Sequence, residues 1–85
     1  MPEVWRFFGI VIAIYYNDHT PPHFHARYGE HEATVLIDNG TVAGAFPGPA
    51  LRLLLEWYDV HRDELREDWE LARSRKPLNK IEPLE

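Results

Sequence analysis

Asp18, His19, His23 and His25 place three imidazoles and one carboxylate within eight residues of an 85-residue chain. Imidazole ordinarily titrates near neutral pH, and in its neutral form it is the commonest protein ligand for transition metals. The segment His23-Phe24-His25-Ala26-Arg27-Tyr28 alternates polar and apolar residues, the pattern of a half-buried strand. His23, His25 and Arg27 therefore leave one face, and Phe24, Ala26 and Tyr28 the other. Imidazoles two positions apart on a strand lie ~6–7 Å from each other, close enough to converge on one ion or one substrate. Pro21-Pro22 stiffens the approach and holds Asp18 and His19 beside them.

Three chemistries fit these residues. The rings can be structural, packed at a sheet edge and bonded to backbone carbonyls. They can bind a divalent metal, with His23, His25 and either His19 or Asp18 as ligands; neutral imidazoles with a carboxylate suit Zn, Fe or Mn. They can instead do metal-free acid–base work, with RNA as the expected substrate. In that case His23, His25 and Arg27 form the catalytic set, with Arg27 neutralising a phosphate. Asp18, His19 and Tyr28 are then the substrate contacts, Tyr28 by stacking on a base. Because Tyr28 falls on the predicted core face, that role requires the core to end there.

The elements that position these residues are legible along the chain. Phe7 to Tyr16 is a dense β-branched and aromatic run, apolar on both sides, which predicts a central buried strand. After the Pro-rich loop comes the strand carrying His23 and His25, then one from Glu32 to Ile37. A register with Tyr28 opposite His31 sets Arg27 against Glu32, His25 against Thr34 and Phe24 against Val35. Asn39-Gly40 predicts a hairpin to a short strand, Thr41 to Ala45, with Ile37 opposite Val42. Pro49 suits the first helical position, with Gly48 as N-cap. Leu51, Leu54, Leu55, Tyr58, Leu65, Trp69 and Ala72 then recur at helical spacing. The expected architecture is α+β: an antiparallel meander of three to four strands over residues 1–46, one long amphipathic helix over 49–75, and a tail over 76–85 that forms a short edge strand here or in a neighbour. A helix of that length measures ~40 Å, against a radius of gyration near ~12 Å for a domain of this size. It must overhang, bend near Asp59–His61, or pack on a second copy in a homodimer.

Composition narrows the rest. The chain holds 9 Lys and Arg against 14 Asp and Glu, a net charge of -5, which argues against generic nucleic-acid binding by net charge but leaves room for a local basic groove. Seven of the acids lie between residues 56 and 70, giving the helix an acidic face. There are no cysteines, so a thiolate metal site, a Cys nucleophile and a disulfide scaffold are excluded. The apolar run from Phe7 is about half the ~20 residues that a membrane span requires, and it follows no basic leader. The expectation is a soluble cytoplasmic protein of one domain.

The signature Asp18-His19-x-Pro21-Pro22-His23-Phe24-His25, with Tyr28-Gly29, Trp57, Trp69-Glu70-Leu71-Ala72 and the ending Ile81-Glu82-Pro83-Leu84, resembles the bacterial family called domain of unknown function 4160. The resemblance covers nearly the whole chain. Members are often encoded beside a second small family, domain of unknown function 2442, in an arrangement like a toxin–antitoxin pair. The resemblance thus implies a toxin–antitoxin-like component with a cognate small partner protein and RNA as a target. An interaction module that docks such a partner through its helix and tail, and a metal-dependent enzyme with His19, His23 and His25 as ligands, are the alternatives.

Overall fold

Five strands and one helix follow in order: β1 (Glu3–Phe7), β2 (Ile10–Ile14), β3 (His23–Tyr28), β4 (His31–Leu36), β5 (Val42–Gly44) and α1 (Gly48–Arg73). The computed structural model describes residues 3–16 and 18–83. The strands form one antiparallel sheet in sequence order, and α1 packs against β2 and β3. The α+β class is as expected; the sheet has five strands rather than three or four.

The extra strand comes from the run Phe7 to Tyr16, which is a hairpin and not one central strand. Phe8 (φ 47°) and Gly9 (φ 79°) form a two-residue turn, and Phe7 pairs with Ile10. Two positive φ angles match the twist of the flanking strands, although a non-glycine residue there costs ~1–2 kcal/mol. Burial offsets that cost: Trp5 lies opposite Ile12 and Phe7 opposite Ile10, and all four are buried against the helix. The run reads as apolar on both sides because Val11 and Ala13 are small residues on the uncovered face of the sheet.

The β3–β4 register is the expected one, with His25 opposite Thr34 and Phe24 opposite Val35. The β4–β5 register is displaced by two residues, so that Val42 faces Val35 rather than Ile37. Ile37 leaves the ladder to bury its side chain, and its N–H donates to the Pro22 carbonyl at 3.0 Å. The buried Tyr58 hydroxyl donates to the Ile37 carbonyl at 2.7 Å, which ties the helix to this loop. A shift of two keeps every side chain on its expected face. At the end of β5, Gly44 (φ 111°) is required by close approach: a Cβ there would lie 2.5 Å from the Glu32 carbonyl oxygen.

The helix starts one residue earlier and ends two residues sooner than expected, with Pro47 rather than Gly48 at the N-cap. It resolves its length by bending. His61 has non-helical angles (φ −112°, ψ 21°), so Leu54, Trp57 and Tyr58 before the bend and Leu65, Trp69 and Ala72 after it all reach the core. Leu51 and Leu55 are only half-buried, while Ala50 and Trp57 are buried instead. Residues 76–83 form no strand. They run back along the helix of their own chain: Ile81 is buried, the Trp57 indole N–H donates to the Glu82 carbonyl at 2.9 Å, and the Asn79 N–H donates to Asp68 Oδ1 at 2.9 Å. Leu84 lies outside the described residues.

This tail is therefore part of the core. Ile81→Ala should destabilise the fold by about 2–5 kcal/mol, seen in thermal unfolding by circular dichroism as a Tm lower by on the order of 10 °C or more. An unchanged Tm would show that the tail is not packed in solution.

Candidate metal centre

The burial of Phe24 and Ala26 beneath α1 turns His25 and Arg27 to the opposite face of β3. The β2–β3 loop then brings Asp18 over the start of that strand. Its carboxylate is shared by three histidines. Oδ1 accepts the backbone N–H of His19 at 2.9 Å and lies 3.0 Å from His19 Nδ1. Oδ2 lies 3.0 Å from His23 Nε2 and 3.1 Å from His25 Nε2. On its other side, His23 donates Nδ1–H to the Pro21 carbonyl at 2.8 Å. The Thr20–Pro21 peptide is cis.

Burial grades across the cluster. The His23 side chain is 6% exposed, Asp18 16%, His25 33% and His19 82%. His23 was expected on the solvent face, but its ring is enclosed by Trp69 at 5.2 Å, His25 at 5.0 Å and His19 at 5.1 Å between centroids. Partial burial raises the Asp18 pKa. The hydrogen bond from His25, the His19 backbone N–H and the charges of His23 and His25 outweigh burial and hold the carboxyl below its ordinary value.

The donor atoms of Asp18, His23 and His25 all lie within 4.8 Å of one another, an arrangement that suits one metal ion. His19 stands outside this set, at the exposed lip. The hydrogen bond to Pro21 fixes the His23 tautomer: with Nδ1 protonated, the Nε2 lone pair points at a carboxylate oxygen. Two lone pairs at 3.0 Å repel, so a cation must sit between them, either a second proton on His23 or a metal ion. A backbone carbonyl receiving the far N–H is the usual support of a metal-ligating histidine. With metal–donor bonds of ~2.0–2.1 Å, tetrahedral donors stand ~3.4 Å apart. The two nitrogen-to-Asp18 separations, 3.0 and 3.1 Å, need open by only a few tenths of an ångström.

Beside this cluster, the uncovered face of the sheet forms a groove of about 440 Å³ that runs past His25. Its floor is Val11, Ala13, Thr34 and Ala43; Arg27 and Glu32 stand along it and Tyr15 forms a wall, edge-on to His25 at 4.6 Å. Arg27 is thus on the groove but outside the cluster. Tyr28 lies on the other face, packed near Phe46, with its ring against Gly9. Tyr15 belongs to the run from Phe7 that is expected to be buried, but it is exposed on the groove. Its parity with Val11 and Ala13 would have placed it on this face once the turn at Phe8-Gly9 was recognised. The Pro21 carbonyl, a backbone group, left no sequence signal. Asp68, one of the seven acids between residues 56 and 70, is fully buried rather than on the acidic face; it sits three residues after Leu65 and four before Ala72, in phase with the apolar stripe.

Fold and cluster together define a small α+β domain with two histidines and one carboxylate converging at the end of a sheet. A family model described as Domain of unknown function (DUF4160) matches residues 9–70, and the chain belongs to that family. No curated protein and no solved structure matches it. Among the described residues no helix is long and apolar enough to cross a membrane.

The lowered pKa of Asp18 makes a signed prediction for the metal-free protein. A carboxyl whose folded pKa is depressed contributes stability above its unfolded value and loses it as the pH falls through the folded one. Urea unfolding should show stability dropping between neutral pH and the acid side of the carboxylate range. Asp18→Asn should be less stable at neutral pH and should flatten that dependence; an equally steep curve in the variant would assign the drop to other groups.

Proposed function

We propose that this protein binds a divalent metal of the Zn, Fe or Mn class through Asp18, His23 and His25, and uses it for hydrolysis at the mouth of the groove. The observation that carries this reading is the geometry of His23. One nitrogen is committed to the Pro21 carbonyl and the other faces Asp18, so the site calls for a cation where three protein donors already converge. Three protein ligands leave a further position for water, whose pKa a bound metal lowers enough to give a nucleophile at neutral pH. His25, the most exposed of the three donors, borders the groove, so a metal held there would stand beside a space where a substrate fits.

Metal-free acid–base chemistry by His23 and His25 is the rival reading. In it a second proton on His23 takes the place of the metal, and Asp18 holds the imidazolium. A toxin–antitoxin-like role with a small cognate partner is the setting proposed from the family resemblance, and the metal centre is its proposed working part.

Calorimetric titration with Zn²⁺, and visible absorption with Co²⁺, decide between metal and proton. We expect stoichiometric binding at one site per chain. His23→Ala, His25→Ala and Asp18→Asn should each weaken it by more than the roughly 10–100-fold typical of outer-shell partners, with His19→Ala near wild type. No uptake of either ion would leave the acid–base reading. In cells, inhibition of growth on overexpression should disappear in a His23→Ala, His25→Ala double variant. Inhibition that persists in the double variant would detach this cluster from any toxic activity.

A further inference from the structure

We infer that the groove takes a nucleotide phosphate, with Arg27 and the metal holding the phosphate and Tyr15 holding the base. The inference rests on the metal reading above and names the substrate class of that site. Net negative charge gathers on α1, with seven acids to four arginines. The exposed acids of α1, among them Glu56, Asp63, Glu67 and Glu70, lie on the helical layer. The uncovered sheet face carries a cross-strand row of Arg6, Val11, Arg27 and Glu32, two guanidiniums to one carboxylate. Although Glu32 is opposite, Arg27 has no ion-pair partner among the described residues, so its fork of donors is available to an anion.

Spacing selects the anion. Arg27 follows His25 by two positions, which sets the attachment points of the two side chains ~6–7 Å apart on one face of the strand. A phosphate has oxygens enough to meet both a metal held at the cluster and the guanidinium. The groove continues over Val11 and Ala13 to Tyr15, a partly exposed ring of the kind on which a planar group stacks. An ester joining a phosphate to a planar base matches both ends. Glu32, directly across from Arg27 on β4, opposes anion binding at this point of the groove.

The test uses the full chain loaded with Zn²⁺, its metal content verified first, and three probes: inorganic phosphate, AMP and a six-nucleotide single-stranded RNA. Arg27→Ala should weaken AMP binding by about tenfold or more with zinc affinity unchanged. Tyr15→Ala should weaken AMP but not inorganic phosphate, and Glu32→Gln should tighten both. RNA binding tighter than AMP, and equally dependent on Arg27, would assign the ligand to a strand; binding no tighter would assign it to a free nucleotide. Zinc uptake without AMP binding, or AMP binding indifferent to Arg27, would overturn the nucleotide assignment and leave the metal centre standing. Failure to take up zinc would overturn both.

Discussion

The site depends on the way β3 must lie. Phe24 is fully buried against Trp57 and Tyr58 of the helix, with Ala26 beside it on the same side, and a strand that sends these two residues inward sends His25 and Arg27 outward. A slip of one residue would expose Phe24 and bury a guanidinium, so the packing of the core and the orientation of the site are one constraint. The β3–β4 pairing from His23–Leu36 to Tyr28–His31 holds that register along the whole strand.

On this platform the β2–β3 loop does the electrostatic work. A carboxylate at the end of a sheet would ordinarily be solvated. Here Asp18 is mostly covered, and its two oxygens are taken up by three histidines and a backbone N–H. Such an arrangement is stable only while positive charge accompanies the carboxylate, whether carried by protons or by a metal ion. The Pro21 carbonyl sharpens the requirement because it commits one His23 nitrogen as a donor before Asp18 is considered. The helix contributes from behind, since Trp69 walls off His23 from water.

The opposite layer has a different character. The bend at His61 lets one helix cover the sheet with both of its halves, and the tail closes over it through Ile81, Trp57 and Asp68. Six exposed acids of the chain lie along this helix. The sheet face that carries the cluster is left with small residues, two arginines and an open groove.

Much of this was legible in the amino-acid order because it follows from local periodicity. The two-residue alternation of His23–Tyr28 assigns faces, the opposed charges of Arg27 and Glu32 select a register, and the three- and four-residue spacing from Leu54 to Ala72 marks the helix. The grouping of Asp18 with His23 and His25 was also within reach, since a stiff Pro-Pro loop connects them. Tertiary structure alone decided the rest. Phe8-Gly9 turns the chain because burying Trp5 and Phe7 outweighs the local cost of a left-handed phenylalanine, a balance invisible to propensity. Ile37 left its strand for the core and widened the β4–β5 loop. Asp68 went inside because the tail returned to meet it. His23 rather than His19 joined the cluster's buried centre because Trp69, forty-six residues away in the chain, supplies the wall. Periodicity determines which way a side chain faces; only the assembled layers determine what it meets there.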